Sequence, residues 1–323
     1  IDPRRMCFLD TETTGLSAGT GTMAFVVGVG HFSGDRFAVK QFFLRDPGDE
    51  PAMVESLGDL LGGFDAIVSF NGRAFDVPIL ENRFILARTA PPTTAMPHLD
   101  LLLPSRRVWR HRLPSCSLGT LEQEVLGVFR EQDDVPSGII PLLYRDFLRT
   151  GDARDMKRVI YHNAIDILSL VTLSTRLAQV LDDPYSAQGL VGAELYGLAR
   201  WYERDGKIRD AERAYRGAIH GPIEPDVRAR AMRDLGSLLK RTGRRPESFA
   251  YWQQLALSSE DDGVVVAAHV EVAKYYEWVE KDLALAAAWT RSGLTMADAW
   301  PPGLRRQLVR AELHHRLRRL ERK

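Results

Sequence analysis

Residues 7–16, "CFLDTETTGL", set two acids, Asp10 and Glu12, into the end of an apolar run. Cys7, Phe8 and Leu9 read as the start of a buried strand, and residues two apart on a strand point to one face. The pattern therefore places two carboxylates side by side in a sheet, where burial and mutual repulsion both oppose ionisation. A divalent cation between them removes the conflict. Mg2+ and Mn2+ take oxygen ligands in near-octahedral geometry, from a few carboxylates plus water and phosphate oxygens. The acid pair thus predicts a sheet whose centre faces a metal, with further acids converging on it.

Two more acids fit that demand. Asp76, in "SFNGRAFDVPIL", follows an apolar strand and a tight Asn71-Gly72 turn and precedes an apolar helix. A helix-capping aspartate is the plainer reading of it. Asp166, in "VIYHNAIDILSLV", sits among Ile165, Ile167 and Leu168, and His162 lies one helical turn earlier on the same face. That His/Asp pair reads either as a surface ion pair or as a general base beside a metal-bound carboxylate, a task that suits imidazole near neutrality.

The first half alternates strand and helix patterns. "RMCFLD", "AFVVGVGHF" and "RFAVKQFFL" read as a three-stranded meander, "AIVSFNG" as a fourth strand and "MPHLDLLL" as a fifth. Helical patterns cover "PAMVESLGDLLGGF", "PILENRFILART", "SLGTLEQEVLG", "IPLLYRDFLRTG" and a long stretch from about Asp155 to Leu181. Hairpin strands followed by helix-joined strands predict a mixed α/β sheet with flanking helices. "LDDPYSAQG" reads as a linker, dividing the chain into residues 1–182 and 183–323. Beyond it the strand signals vanish. Helical patterns repeat around turns at Gly206, at Gly243, which lies 37 residues later, and at Lys281. That period, with aromatic and small residues around each turn, resembles tetratricopeptide (TPR) repeats, with an irregular helical bundle as the plainer reading.

Composition narrows the class. At 323 residues, 45% of them hydrophobic, the chain is expected to form about two domains. No run approaches the ~18 apolar residues of a transmembrane helix and no signal peptide is recognisable, so no membrane association and a cytoplasmic location are expected. The opening residue is Ile1, so part of a native N-terminus is expected to be missing. Two cysteines, Cys7 and Cys116, suggest neither a disulfide framework nor a zinc site. Zero net charge hides an asymmetry. Residues 1–185 carry 19 Lys/Arg against 24 Asp/Glu, leaving 24 against 19 beyond, concentrated in "LRRQLVRAELHHRLRRLERK". An amphipathic capping helix is the expected role of that tail.

The order Asp, Glu, Asp, Asp with an adjacent base carries a specific resemblance. "FLDTETTGL" resembles the first motif of the DEDD 3′–5′ exonucleases of the ribonuclease-H-like superfamily. "FNGRAFDVPIL" resembles their second, in the version of family B polymerase proofreading domains, and "YHNAIDILSL" their third. With the TPR-like tail, the chain resembles YprB-like bacterial proteins. The resemblance implies a five-stranded ribonuclease-H-like sheet and a two-metal site using Mg2+ or Mn2+. It also implies hydrolysis of a nucleic acid, single strands favoured, from the 3′ end. Asp10, Glu12 and Asp166 would hold one ion, Asp10 would bridge to the second, and Asp76 would reach it through water. Backbone amides around Thr11, Thr13 and Thr14 would cradle the terminal nucleotide, over a floor of Asn71 and Phe75.

The base departs from the family pattern. Histidine-type members place it five residues before the last Asp and tyrosine-type members four. Here Tyr161 stands at minus five and His162 at minus four. Four helical residues rotate about 400° and five leave a side chain about 140° away, so helix geometry favours His162.

Three further features complete the reading. "RRVWRHRLP" gathers arginines around Trp109 in an expected loop, where Arg107 and Arg110 would meet phosphates and Trp109 stack on a base. A solvated basic loop is the plainer alternative. His98 and Asp100 share a strand face and form a second candidate pair, for which a structural role is expected. The repeat region would recruit a protein partner or extend the substrate path. Alternatives to the exonuclease are a structure-specific endonuclease on the same fold and a catalytically silent repeat scaffold.

Overall fold

The computed structural model describes residues 2–15, 19, 21–130, 135–186, 188–258 and 262–323. Residues 16–18 and Thr20, in the expected β1–β2 connection, and Ala187, in the expected linker, lie outside the described residues. The chain divides into two compact units, residues 1–106 with 113–183, and residues 107–112 with 184–323.

The first unit is built on one sheet of five strands: β1 (Met6–Thr13), β2 (Ala24–Ser33), β3 (Arg36–Phe43), β4 (Ala66–Ser69) and β5 (His98–Asp100). Their spatial order is β3-β2-β1-β4-β5. β1, β2 and β3 pair antiparallel, as the short meander turns require, whereas β1/β4 and β4/β5 pair parallel. The mixed sheet is therefore the one expected from the strand pattern. Its helices are α1 (Glu50–Leu61), α2 (Asp76–Leu86), α3 (Leu102–Trp109), whose last three residues belong to the second unit, α4 (Leu118–Leu121) with a π turn over Glu122–Leu126, α5 (Ile140–Thr150) and α6 (Arg154–Asp182). Cys7, Leu9, Val27, Ile67, Leu57 and Phe84 belong to one buried cluster. Phe25 stacks on Tyr144 at 3.9 Å between ring centroids, and the Tyr144 hydroxyl donates to the Leu44 carbonyl at 2.9 Å. α6 packs against β1, β2 and β3 and so crosses the sheet at its centre.

α6 is long and apolar enough, by length and composition, to pass as a membrane span. Its buried face, including Val159, Ile167 and Leu170, is core of this unit.

The second unit is helical: α7 (Ala193–Arg204), α8 (Ile208–His220), α9 (Pro225–Arg241), α10 (Arg245–Ser258), α11 (Asp262–Tyr275) with a π turn over Tyr276–Glu280, α12 (Leu283–Asp298) and α13 (Leu304–Leu320). Each helix packs on the next in chain order. The turns closing α7/α8, α9/α10 and α11/α12 carry Gly206, Gly243 and Lys281 at φ of +75°, +83° and +59°. All three lie in the left-handed region that stops a helix. In the tail, Leu313, Leu317 and Leu320 are buried, while Arg316, Arg319 and Lys323 converge on the buried carboxylate of Glu277. Three of its cations are thus spent on packing α13 against the preceding π turn.

Candidate active site

β1 outruns β4. Their parallel pairing extends from Met6↔Ala66 to Phe8↔Val68, so Leu9 onward projects past the last paired β4 residue. Ligand crevices of sheets with parallel strands open at the carboxyl ends of those strands. Asp10 and Glu12 lie on this projecting end, and Asp76 is the first residue of α2, reached from β4 by the 70–75 turn. α6 supplies His162 and Asp166 as it crosses.

Asp10 is held from α6. It pairs with Gly28 across the β1/β2 ladder. A Cβ on Gly28 would stand 2.3 Å from Asn163 Oδ1, so only glycine leaves room for Asn163 there. Asn163 Nδ2 donates to Asp10 Oδ2 at 2.8 Å and to the Asp10 carbonyl at 3.2 Å. Gln41 Nε2 fixes the other end of that amide, donating to Asn163 Oδ1 at 2.8 Å. Asp76 is held similarly. Thr11 Oγ1 donates to its Oδ1 at 2.5 Å, and a Cβ on Gly72 would come within 3.0 Å of its Oδ2.

His162, Glu12 and Asp166 close the cluster, with one ligand atom from each within 4.8 Å of the others. His162 Nε2 lies 3.5 Å from Asp166 Oδ2 and 4.0 Å from Glu12 Oε1. Tyr161 is rotated about 100° from His162 by the helix.

The electrostatics describe acids in excess. Burial, then the charges of Asp166, Asp76 and Glu12, hold Asp10 well above the usual carboxylate range, and the Asn163 bond only partly opposes this. Burial pushes Asp76 up to about 6 against the pull of the Thr11 hydrogen bond. Asp166 is also raised, by burial, although His162 and Arg130 oppose the shift. Burial is the first cause in all three, and Asp10 in addition feels the negative charges of Asp166, Asp76 and Glu12. An oxygen-rich, mutually repelling donor set of this kind fits a hard divalent cation.

Sequence reasoning missed the cation the chain brings itself. Arg130 bonds Asp166 Oδ1, and Nε and a terminal nitrogen each donate to Glu122 at 2.7 Å. Its other terminal nitrogen lies 3.0 Å from His162 Nδ1. Burial works against the Arg130 charge, but the Glu122 and Asp166 carboxylates more than offset it and raise its pKa. Guanidinium only donates, so Nδ1 must accept, and a neutral His162 then carries its proton on Nε2. That nitrogen faces Ser137 Oγ at 3.3 Å as well as the two acids. Nothing local in "GVFREQ" marked Arg130, because its partners lie 8, 32 and 36 residues away. Asn163 offered a clue, a polar residue between His162 and an apolar face.

Other expected contacts fall differently. Thr13 Oγ1 donates to the Gly15 carbonyl, and the Thr14 N–H to Met23 O, so these groups serve the β1–β2 connection. Asn71 is exposed with φ +63°, and its N–H donates to Asp100 Oδ1 at 2.8 Å. Asp100 also accepts from the N–H groups of Arg73 and Leu102, the expected structural role. Phe75 packs in part against the core. The "RRVWRHRLP" loop is corrected: α3 runs to Trp109, whose side chain is 1% exposed and offers no face to a base. Arg107 and Arg110 stay on the surface side of that turn.

A family model described as the RNase H superfamily matches residues 7–178. The chain is also 34% identical, over 324 aligned residues, to the uncharacterized protein YprB of Bacillus subtilis (strain 168), covering 98% of this chain and 74% of that protein. The matched region contains the whole sheet and every acid of the cluster, and the chain belongs to the RNase H superfamily.

Proposed function

We propose that the chain is a metal-dependent 3′–5′ exonuclease acting on single-stranded nucleic acid, with residues 1–182 carrying the chemistry. Membership of the RNase H superfamily supports metal-dependent nuclease activity. The observation that supports the finer reading is the approach of Glu12, His162 and Asp166 to within ligand distance of one another, beside an Asp10 that feels the charges of Asp166, Asp76 and Glu12, the acids following the chain order of the DEDD motifs.

Those four carboxylates would hold Mg2+ or Mn2+, two ions on the DEDD reading. Bound there, the ions supply neutralisation of charge on the phosphorus oxygens and acidify a water. The protein's own groups do the rest. Asn163 and Thr11 hold Asp10 and Asp76 in fixed rotamers, so little reorganisation remains at the moment of reaction. His162 accepts the proton of the attacking water, which requires a free Nε2 lone pair. Arg130 at Nδ1 opposes that tautomer, so the base becomes competent when the guanidinium moves off the ring. The helical region reads as a TPR-like surface for a protein partner, supported by its serial helix hairpins.

Direction is tested with a 5′-labelled linear strand and a circular strand of the same sequence, in Mn2+. Progressive shortening of the linear strand and an intact circle are expected. Cleavage of the circle at a comparable rate assigns an endonuclease instead.

A further inference from the structure

Residues 107–112 belong with the helical unit, and Gly197 shows why: a Cβ there would stand 2.3 Å from the Arg107 carbonyl and 2.7 Å from that of Val108. The close approach of α7 to this turn leaves a cleft of about 470 Å³, lined by Arg107, Arg110, Arg200, Arg204 and Trp201. Its acids are already engaged. Glu203 accepts from Arg241 and from the Tyr215 hydroxyl, and Asp234 from Arg233 and the Tyr196 hydroxyl. Among the described residues, Arg107, Arg110 and Arg200 have no carboxylate partner within ion-pair distance. Arg107 lies over the Trp201 ring at 4.6 Å, which fixes the guanidinium plane and leaves its N–H edge for a ligand. The field is felt nearby: burial, then the charges of Arg110, Arg200 and Arg230, push His111 down to about 4.

We propose that this cleft binds the phosphate backbone of a nucleic-acid strand, a second contact region outside the carboxylate cluster. Several guanidiniums without a carboxylate partner in one concavity, Arg107 held flat by an indole and Arg110 donating from Nε to His111 Nε2 at 3.2 Å, match successive phosphates better than a single anion. The aromatic partner of Arg107 in "RRVWRHR" is thus Trp201, 92 residues beyond Trp109, where local sequence would seek it, and it orients an arginine instead of stacking on a base. The proposal rests on the nuclease reading for the nature of the polyanion.

Binding is read in the full chain carrying Asp10→Asn, in EDTA, by fluorescence anisotropy of a labelled single strand of about 20 nucleotides. Adding Arg107→Gln, Arg110→Gln and Arg200→Gln should weaken binding about tenfold or more. The slope of log K against log salt should flatten by up to about 2, at about 0.7 per lost phosphate contact. Unchanged affinity and slope overturn the proposal. The corresponding triple Lys variant, which keeps the charges, should keep most of the slope; a Lys variant as weak as the Gln variant makes the effect structural and also overturns it. Strand binding retained by the Gln variant, with binding of labelled polyglutamate lost, gives the cleft to an acidic protein partner. Mn2+-dependent cleavage by the parent chain tests the nuclease reading separately. Cutting with an unaffected Gln variant removes the cleft alone, and cleft-dependent binding without cutting removes the nuclease alone.

Discussion

His162 is where residue identity and spacing disagree with the family pattern, and geometry decides between the two candidates. Its ring sits 3.5 Å from Asp166 and 4.0 Å from Glu12, inside the acid cluster. Tyr161 is half-buried and a helical step away. His162→Ala should therefore cut kcat about 10²–10⁴-fold at saturating Mn2+, the usual worth of a positioned base. Tyr161→Phe removes only a hydroxyl and should change kcat by less than about threefold. The reverse pattern in steady-state hydrolysis would assign the base to Tyr161. Sequence alone could rank the two residues, because helical rotation is a local property. It could not show Arg130 on the ring, since that contact depends on how the chain after α4 returns to α6.

At the scale of elements, β2 and α6 meet through an absent side chain. The reason for Gly28 in "VVGVG" is the amide of Asn163 behind it. Gly28→Ala should push Asn163 away from Asp10, breaking the 2.8 Å bond and straining the Gln41 contact behind it. Stability should fall by about 1–3 kcal/mol in denaturant titration, the range of overpacking in a dense interior. A neutral substitution would mean that α6 shifts freely and that Asp10 is not positioned through Asn163. The strands and most helices were legible because period-two and helical patterns are local, and the left-handed turns at Gly206, Gly243 and Lys281 stood out for the same reason. α3 was not. Arginines spaced through "RRVWRHR" read as a nucleic-acid-binding loop, and only tertiary packing reveals that Val108 and Trp109 are buried.

For the molecule as a whole, the buried acids Asp10, Asp76 and Asp166 form a set that a divalent cation would neutralise. Burial holds Asp10, Asp76 and Asp166 above the usual carboxylate range. A carboxyl raised on folding stabilises the native state fully below its unfolded pKa, and that contribution is lost as pH rises through the folded value. For Asp76 the window runs from 3.8 to about 6. Above it the Asp76 carboxylate is charged, and a divalent ion would supply the neutralisation that its proton supplies below. The most direct measurement is therefore thermal unfolding of the full chain with and without Mn2+, at about pH 5 and about pH 7.5, beside Asp10→Asn. The account predicts a Tm gain from Mn2+ that is larger at the higher pH. It further predicts an Asp10→Asn variant whose metal-free Tm equals or exceeds the parent's, with a much smaller Mn2+ gain and no hydrolysis. A Tm indifferent to Mn2+ at both pH values, or a full Mn2+ gain in Asp10→Asn, would contradict it.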